Sequence, residues 1–541
     1  MQESRNHKRV AQTFDYVIVG AGSAGCVLAY RLSENPDVSV VLIEAGPKDT
    51  NRLIRMPKGC LRLHRDPRVM WHFPVTADSS REWQGSLVAG KVLGGTSAVN
   101  SMLYVRGTPE DYDRWALSGA PAWSWREIAP CFKKIEDHDL GETEARGAGG
   151  LLHISTTRKR DELCEAVVEA GVAMGLRRTD DLNEMDQERI GYFSATIKSG
   201  RRVSASHAFL TSATRRPNLT IATNTVATRL IFRGTRAIGV SCTTGNLERS
   251  FTASREVIVC AGALQSPKLL QLSGIGPADH LRSLGLPVVA DSPGVGANLR
   301  DHWGLRMQYR LIGSGGHNRR LRGFGKYLSM LQYHILHAGI LSDAMADVGA
   351  FVKVSPDSRS PDVELQIAPM TMVPGTTEFE REPGLQIAAW PLRPQSQGTV
   401  MIRSADPTVR PEIRMNSLSA EYDRQLTVGM VGHVRRFVRQ PSLRRYVASE
   451  TWPGPDCRSP VEIVDFTRRF GSPKSHFVGT CKMGVDPMGV VDEELCVRGV
   501  SGVRVVDCSI MPDQVSGHPN GPVMTIAWRA ADLILSGAAR M

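Results

Sequence analysis

The stretch FDYVIVGAGSAGCVLAYRLSENPDVSVVLIEAG, residues 14–46, decides the fold. Its apolar, β-branched run at residues 16–19 predicts a strand, the spacing of apolar residues over 24–32 predicts a helix, and residues 38–43 predict a second strand. A glycine-rich turn joins the first strand to the helix. A strand, a glycine turn, a helix and a second strand in this order are typical of the start of a doubly wound α/β domain.

The glycines of this turn have the spacing GxGxxG, at Gly20, Gly22 and Gly25. The first permits a tight turn, the second lets a pyrophosphate approach the backbone, and the third allows the helix to pack closely on the strand. Glu44 follows Gly25 by 19 residues, the distance expected of a carboxylate that accepts hydrogen bonds from ribose hydroxyls. A glycine turn without a ligand is the alternative, but the surrounding strands, helix and acid favour a dinucleotide site.

The fingerprint alone leaves open whether the dinucleotide is FAD or NAD. A second candidate fingerprint, GVGANL at residues 294–299, lacks the third glycine. We therefore expect one bound dinucleotide, and a chain of this length has ample material to enclose a flavin.

Length and composition bound the class of protein. A chain of 541 residues exceeds what one hydrophobic core usually serves, so we expect two domains. A composition of 41% hydrophobic and 22% charged residues is ordinary for a soluble globular protein.

The net charge of +11 comes from scattered lysines and arginines, which argues against a nucleic-acid partner. No stretch has the apolar length of a membrane span, and the amino-terminal 13 residues lack the apolar core of a signal peptide. Ten cysteines without a CxxC pair argue against a metal site or a disulfide framework and favour the cytoplasm.

The stretch SHFVGTCKMG, residues 475–484, raises the question of what His476 does. Three interpretations fit the residues: a metal ligand partnered by Cys481, a buried histidine satisfied by its neighbours, or a general base. The scattered cysteines weaken the first interpretation. Composition alone favours the second, because a lone histidine is more often a core residue than a catalytic one.

Two further stretches follow the fingerprint in order, GKVLGGTSAVNSMLYVRG at residues 90–107 and GALQSPKLLQLSGIGP at residues 262–277. Together with the fingerprint they resemble the signatures of the glucose-methanol-choline (GMC) family of FAD-dependent oxidoreductases. The resemblance continues through WSWREIAPCFKKIED, PGVGANLRDHW and LRPQSQGTVMIRSADP to the carboxyl-terminal end, so it covers nearly the whole chain. Within the family, the sequence is most similar to the choline-dehydrogenase-like alcohol oxidoreductases.

The resemblance implies an α/β fold in which a Rossmann-like FAD-binding domain is interleaved with an α+β substrate-binding domain. The expected ranges are 12–152, 201–310 and 470–541 for the FAD-binding domain, and 153–200 and 311–469 for the substrate-binding domain. Within the latter, the alternating segments 361–369, 384–392 and 398–404 predict antiparallel strands that form one wall of a cavity over the flavin.

In this family pattern, several residues are expected to contact FAD. Gly94 and Gly95 let the backbone lie against the cofactor where a Cβ would collide, and Asn100 offers an amide to the isoalloxazine edge. Val99 stands where relatives that attach flavin covalently can have a histidine, so we expect FAD to be bound non-covalently. The expected FAD-contacting residues are Gly20, Gly22, Ser23, Ala24, Gly25, Glu44, Ala45, Val92, Gly94, Gly95, Thr96, Asn100, Val226, Ala261, Asp507 and His518.

The resemblance also implies that the carboxyl-terminal region carries the chemistry, with His476 as the catalytic histidine and Asn520 as its partner. Alcohol oxidation removes the hydroxyl proton and transfers hydride from the carbinol carbon to flavin N5. Histidine suits the first task because its unperturbed pKa lies near physiological pH. Asn520 can donate to the substrate oxygen as alkoxide character develops, and His518 is a second candidate for this role.

A helix predicted from about residue 521 would direct its positive end at the flavin. Ser475 and Phe477 depart from the Tyr-His-Pro of many relatives, so the neighbouring pocket is expected to differ.

The sequence therefore predicts the FAD-dependent oxidation of a primary or secondary alcohol to a carbonyl, with oxygen, a quinone or a redox protein as electron acceptor. A lyase or photodecarboxylase on the same fold is one alternative, and a non-catalytic flavoprotein is another. The presence of both His476 and Asn520 favours alcohol oxidation. Reduction of the flavin by an alcohol under anaerobic conditions distinguishes the three.

Overall fold

The computed structural model describes residues 11–538, except 77–82, 84, 158–159, 185–186 and 314. The expectation about a signal peptide concerns mainly residues 1–10, which lie outside the described residues. The parts of the predicted domain ranges that fall on the internal gaps or on residues 539–541 lie outside them too.

The first sheet begins with the strand that the opening stretch predicts. Ala11–Val19 is longer than predicted at its amino-terminal end, and a turn at Gly20 leads into the helix Ser23–Leu32 and the strand Val40–Ile43. The two strands are parallel, and every residue of the second is buried, as is usual for a strand covered on both faces. In spatial order the sheet runs Leu219–Ala222, Val40–Ile43, Ala11–Val19, Leu247–Val259, Arg236–Thr244 and Val226–Arg233, with Val503–Val505 also paired to Leu247–Val259.

Three distant parts of the chain contribute to this sheet and its core. Val503–Val505 lies parallel to Leu247–Val259, which in turn lies parallel to Ala11–Val19. The helices Ser23–Leu32 and Asn520–Ala538 pack together, and the rings of Tyr30 and Trp528 stack with centroids 6.5 Å apart. The carboxyl-terminal residues therefore share one hydrophobic core with the opening stretch.

The second sheet is antiparallel through most of its width. Its apolar face carries Leu305, Met307 and Tyr309 and packs on the helices Glu162–Ala173 and Glu421–Val438. The opposite face carries polar side chains near its centre. In spatial order the sheet runs Val447–Trp452, Trp303–Leu311, Gly384–Pro391, Val363–Ala368, Val348–Val352, Arg189–Tyr192 and Arg177–Arg178, with Ser472–Pro473 paired to the start of Trp303–Leu311.

One predicted wall strand lies elsewhere. Within the segment 398–404, Thr399–Met401 pairs with Glu412–Arg414 in a separate hairpin. The backbone of Val400 is bonded on both sides: its N–H donates to Gly296 O at 2.7 Å, and its carbonyl accepts from Gln271 Nε2 at 2.9 Å. The N–H of Val400 is therefore committed to Gly296 and is not available to the second sheet.

The remaining elements are shorter or lie outside the two sheets. Further strand pairs are Met70–Pro74 with Ser86–Gly90, Ile197–Lys198 with Arg201–Arg202, and Ile275–Gly276 with Ala290–Asp291; Glu136–His138, Leu152–Thr156 and Ser194–Ala195 form a three-stranded group. Further helices are Arg52–Arg55, Cys60–Leu63, Pro109–Leu117, Trp125–Ile135, Thr211–Ala213, Ser266–Leu272, Ala278–Ser283, Asn318–Leu321, Gly323–Leu336, Pro441–Arg444 and Pro460–Phe470. Among the described residues, no helix combines the length and apolarity that crossing a bilayer requires.

The predicted α/β class is confirmed by this architecture, in which parallel strands and helices form one layer system and an antiparallel sheet forms the other. The residue ranges of the two interleaved domains stay a prediction.

Candidate active site

The three glycines of the fingerprint turn have different surroundings: two are required by close backbone packing, and one faces open space. Gly20 has φ +103°, and a Cβ there would lie 2.4 Å from Cys260 O. A Cβ on Gly25 would lie 1.9 Å from Gly20 O, so the helix can approach the strand only without a side chain. A Cβ on Gly22 would meet no atom within 4 Å. Open space next to helical N–H groups is what a pyrophosphate requires, so this turn fits a dinucleotide such as FAD.

Glu44 closes the same site from the end of the strand Val40–Ile43. Its two carboxylate oxygens accept from Ala21 N at 3.0 Å and from Gly46 N at 2.8 Å, with Ala45 between. Burial raises the pKa of Glu44 to about 7, against the effect of these two backbone donors. The carboxyl group is thus fixed in place beside the turn, where it suits a ribose hydroxyl. The predicted adenine contact, Val226, follows Thr225, whose N–H donates to Glu44 O at 2.8 Å.

The glycine loop after residue 90 folds back onto the fingerprint. Gly94 and Gly95 both have left-handed backbones, with φ +92° and +54°. A Cβ on Gly95 would lie 2.6 Å from the Cα of Gly22, so the loop backbone is in close contact with the turn. Val92 is fully buried next to this contact, and Thr96 Oγ1 accepts from Gly90 N at 3.0 Å.

Asn100, at the end of this loop, is held by the side chain of Arg202. Its Oδ1 accepts from Arg202 Nη1 at 2.7 Å and from Met102 N at 3.1 Å. These bonds fix the amide so that its NH₂ group is the part left to donate to a cofactor. Val99, whose side chain cannot form a histidyl link, is buried in an apolar cluster.

Asp507 links the turn after the strand Leu247–Val259 to the end of the strand Val503–Val505. One carboxylate oxygen accepts from Gly262 N at 2.8 Å and Ser266 Oγ at 2.6 Å, and the other accepts from Ser509 N at 2.8 Å. Ala261 N also donates to Ser266 Oγ, at 3.1 Å. Asp507 therefore fixes the turn after Leu247–Val259 against the strand Val503–Val505.

The first turn of the last helix also reaches the fingerprint. Ser23 Oγ donates to Asn520 Oδ1 at 2.7 Å, and Ala24 is buried next to Ser23 in the helix that follows the turn. The structure thus places most of the predicted cofactor residues near the carboxyl ends of the parallel strands, the usual ligand-binding edge of such a sheet. Two are placed differently: Val226 begins an antiparallel strand, and His518 lies against the second sheet.

His476 lies in an ordered chain of hydrogen bonds. Its Nδ1 is 2.8 Å from His302 Nδ1, and His302 Nε2 is 2.8 Å from Leu392 O. A carbonyl can only accept, so His302 Nε2 carries a hydrogen. Burial lowers the pKa of His302 to about 3, so this ring is neutral and its Nδ1 is an acceptor. His476 Nδ1 must then be the donor, which leaves the lone pair on His476 Nε2.

The environment of His476 keeps its ring neutral. Burial lowers its pKa well below the usual value, and the positive charge of Lys474 acts in the same direction. A neutral imidazole with a free Nε2 lone pair is the form that a general base requires.

The backbone around His476 is held from two sides. Asp301 Oδ1 accepts from His476 N at 2.7 Å, and Gln514 Nε2 donates to His476 O at 3.0 Å. Asp301 Oδ2 accepts from Ser475 N at 3.3 Å, which supports the left-handed backbone of Ser475 at φ +60°. Burial raises the pKa of Asp301 to about 7. These bonds fix the backbone from which the imidazole projects.

Of the two candidate partners, His518 packs directly against His476. The two ring centroids are 4.9 Å apart, and Trp390 contacts both rings. His518 Nε2 lies 2.8 Å from Glu364 Oε1, a buried carboxylate on the second sheet. His518 thus connects the histidine pair to the wall of the second sheet. Cys481 is buried in the first core, and among the described residues no three potential metal ligands come together.

Sequence reasoning missed most of the groups that position His476. Asp301 and His302 stand in the quoted motif PGVGANLRDHW, where an acid and a histidine in succession were the available signal. Gln514, Glu364 and Trp390 gave no signal, because only the pairing of distant strands brings them to this place.

Comparison with known proteins finds similarity over nearly the whole chain. Family models described as GMC oxidoreductase match residues 14–304 and 394–527. The chain is 38% identical over 531 residues to an oxygen-dependent choline dehydrogenase of Burkholderia ambifaria, covering 96% of this chain and 93% of the relative. It is 37% identical over 527 residues to an oxygen-dependent choline dehydrogenase of Pectobacterium atrosepticum, covering 96% and 94%.

Two solved structures share the fold. Pyridoxine 4-oxidase from Mesorbium loti superposes with a TM-score of 0.85 at 29% identity, covering 96% of this chain and 98% of that one. A formate oxidase superposes with a TM-score of 0.90 at 26% identity, covering 98% and 99%.

Proposed function

Because the chain belongs to the GMC oxidoreductase family, we propose that it oxidises a primary or secondary alcohol to a carbonyl with His476 as the general base. It is an FAD-dependent oxidoreductase of the alcohol-oxidising type. The observation that carries the proposal is the chain from Leu392 O through His302 to His476, which leaves His476 Nε2 free to accept a proton.

The residues present fit FAD. The open space at Gly22, the fixed carboxyl of Glu44 and the glycine loop at Gly94 and Gly95 would hold its dinucleotide portion. When bound, FAD supplies the acceptor for the hydride that leaves the carbinol carbon.

The residues of the chain handle the proton and the substrate oxygen. The alcohol O–H bond breaks as its proton passes to His476 Nε2, which makes the imidazolium while the substrate becomes a carbonyl. Asn520 is our proposed donor to the oxygen, because its Oδ1 accepts from Ser23 and its NH₂ is left to donate. His518, packed against His476, is the second candidate for this role.

The electron acceptor and the compartment are further parts of the proposal. Oxygen, a quinone or a redox protein can reoxidise the flavin. All ten cysteines are free thiols, which is usual in a reducing compartment, and we propose the cytoplasm.

An anaerobic panel of alcohols tests the reaction class. We expect at least one alcohol to bleach the visible flavin spectrum, because hydride transfer from its carbinol carbon reduces the flavin. A lyase or photodecarboxylase would turn over substrate without this bleaching, and a non-catalytic flavoprotein would show neither. Either result would contradict the proposed alcohol oxidation.

We expect FAD to leave the protein on denaturation. Val99 has no nucleophilic or imidazole group that could bond the flavin, so heat or acid precipitation should release yellow FAD into the supernatant. Flavin that stays with the precipitated protein and resists washing would contradict this expectation.

NADH and NADPH should not reduce the flavin, because the chain has one dinucleotide fingerprint. Anaerobic mixing with either nucleotide should leave the flavin spectrum unchanged, while the reactive alcohol from the panel serves as the positive control. Rapid bleaching of the flavin by NADH without alcohol would contradict this expectation.

His302 should act as a positioning residue for His476. His302→Leu removes the acceptor of His476 Nδ1–H, and we expect anaerobic flavin reduction to slow about 10 to 100-fold, as when outer hydrogen-bond partners of functional histidines are lost. His302→Gln can still offer an acceptor oxygen and should recover part of the rate. Equal rates in the two variants would mean that His302 only fills space.

A further inference from the structure

One face of the second sheet carries polar groups beside His476. Arg306 pairs with Ala388 across the sheet, Ala388 with Gln366, and Trp390 with Glu364. Since alternate residues of a strand share a face, these positions stand on the side opposite the apolar core. Trp390 lies 6.4 Å from the His476 ring, so this polar face is the wall next to the proposed base.

Several buried polar atoms of this wall have no hydrogen-bond partner among the described residues. They are Arg306 Nε, Glu364 Oε2, Gln386 Oε1 and Trp390 Nε1. Native interiors rarely leave such atoms unsatisfied, and a cluster of them beside a catalytic group indicates a site that a polar ligand completes.

Two cations of the wall are not neutralised by a carboxylate. Lys474 Nζ lies 5.2 Å from the centroid of Trp390, and a Cβ on Gly304, two residues before Arg306, would lie 3.1 Å from it. Arg306 contacts Met372 Sδ at 3.8 Å. Among the described residues, neither cation has a carboxylate within 4 Å, and the nearby Glu364 is bonded to His518.

We propose that the alcohol substrate carries an anionic oxygen group, a carboxylate or a phosphate, which Arg306 and Lys474 bind while its hydroxyl reaches His476. This rests on the proposed function. A planar guanidinium and an ammonium are the groups that proteins use for such anions. The anion also offers acceptor oxygens to Arg306 Nε and Trp390 Nε1, the two donors of the wall that lack partners.

The charge of Lys474 makes the binding pH-dependent. Burial and the charge of Arg306 together lower its pKa to about 7, while Asp301 and Glu364 oppose this shift. The other titratable groups near it are the rings of His302, His476 and His518. As pH rises through about 7 the ammonium loses its proton, so selectivity for an anionic alcohol should fall, and Lys474→Arg should abolish this fall.

The test compares alcohols of similar size in anaerobic flavin reduction by the holoenzyme. Short hydroxycarboxylates and a glycerol phosphate supply the two anions, 1-butanol is uncharged, and choline is cationic. We expect higher kcat/KM for one of the anionic alcohols than for 1-butanol or choline. Which anion is preferred distinguishes carboxylate from phosphate.

Variants then test the two cations. Arg306→Met and Lys474→Met should each lower the ratio of anionic to uncharged kcat/KM at least about tenfold, the typical loss of a charge-assisted bond. The control is Arg310→Met, because Arg310 stands on the same face and already pairs with Glu380 at 3.4 Å; it should keep the ratio. If 1-butanol or choline outperforms every anion, this inference is wrong and the proposed function stands. If no alcohol reduces the flavin, the proposed function itself fails.

An independent observation concerns the surface helix Gly323–Leu336. Phe324, Tyr327, Leu328, Leu331, Ile335 and Leu336 are each between 52% and 76% exposed. Their spacing of three and four residues places most of them on one stripe of the helix. So many large apolar side chains on one exposed stripe mark an interaction surface.

The charge around this helix indicates what covers it. Residues 313–342 contain Arg319, Arg320, Arg322 and Lys326 and no aspartate or glutamate. These four cations are exposed and lie in or just before the first turns of the helix. An apolar stripe with a cluster of positive charge at one end of its helix is typical of helices that lie in the interface of an anionic bilayer.

We infer that this face of the helix rests on an anionic lipid surface. Its other side is anchored in the protein: Tyr333 is buried and its hydroxyl donates to Arg55 O at 3.3 Å. Tyr333 also belongs to a cluster with Phe193, whose ring lies 6.0 Å from that of His518. Membrane contact would therefore place the active-site side of the protein next to the bilayer.

Sedimentation with vesicles tests this inference. We expect the holoenzyme to bind vesicles of phosphatidylglycerol and phosphatidylcholine, and to bind pure phosphatidylcholine much less. The triple variant Tyr327→Ser, Leu331→Ser, Ile335→Ser should lose at least about tenfold in binding, because it removes most of the stripe. Leu117→Ser, at a residue that is exposed elsewhere, is the control and should bind like the wild type.

Three results would overturn the membrane contact. They are no binding of the wild type to anionic vesicles, equal binding of the triple variant, and a wild-type dimer that the triple variant loses while vesicle binding is absent. The last result would assign the stripe to a second copy of the chain.

Discussion

The His476→Ala variant should bind FAD normally but be reduced by alcohol about 10² to 10⁴ times more slowly than the wild type, the usual contribution of a positioned general base. The cofactor should remain because the glycines at 20, 22 and 25 and Glu44 lie in a different part of the site. Dithionite should still reduce the variant, which shows that the flavin itself is competent. Anaerobic stopped-flow absorbance measures both rates.

The pH dependence of the wild type should identify the group that titrates. Protonation of His476 removes its lone pair, so the reduction rate falls as pH decreases. Because its pKa is held well below the usual value, we expect the rate to stay constant from neutral pH to below about 6.5 and to fall only in more acidic solution. Asn520→Ala should slow reduction but keep this acid limb, because an amide does not titrate.

Two further variants complete this experiment. His433→Ala removes a buried histidine on the helix Glu421–Val438 and should leave the reduction rate near that of the wild type. His518→Ala tests the second candidate next to His476. If His476→Ala is reduced at nearly the wild-type rate while His518→Ala is slow, the base is His518.

Gly22→Val should give folded protein with little or no FAD. A Cβ at Gly22 meets no protein atom within 4 Å, so the side chain fits the polypeptide and occupies the space that a pyrophosphate needs. We expect far-ultraviolet circular dichroism like that of the wild type, visible absorbance near zero, and a lower melting temperature because ligand stabilisation is lost.

The controls separate cofactor exclusion from misfolding. Gly432→Val adds a side chain whose Cβ would meet only Arg436 Nη1 at 3.7 Å, so it should retain FAD. Gly25→Val should reduce the yield of folded protein, because its Cβ would lie 1.9 Å from Gly20 O. A Gly22→Val protein with normal flavin content would mean that the cofactor does not pass this turn.

Local patterns predicted the cofactor end of the molecule well. The strands, the helix and the glycine turn of residues 14–46 were visible because each follows from neighbours in the sequence, through alternation, helical spacing and glycine positions. The structure also places Gly95 against Gly22, a contact within the protein that the sequence did not predict, since the loop was expected to lie against the cofactor.

The groups around the proposed base depend on long-range pairing and were not predictable in the same way. His302 and His476 are 174 residues apart and meet because Ser472–Pro473 pairs with the start of Trp303–Leu311. Arg306 and Lys474 stand together for the same reason. Thr399–Met401 alternates like a wall strand, yet it pairs with Glu412–Arg414 and is bonded to Gly296 and Gln271. Periodicity reports which residues are buried and does not report which partner buries them.

The contact between Ser23 and Asn520, 497 residues apart in the chain, has a consequence for biosynthesis. A ribosome makes the fingerprint long before the helix Asn520–Ala538, and that helix packs on the helix Ser23–Leu32. The nascent chain must therefore leave uncovered the face of the helix Ser23–Leu32 that packs on Asn520–Ala538 until the latter has been made. Contacts of such sequence separation form slowly, which exposes partly made chains to aggregation and gives chaperones a defined surface to protect.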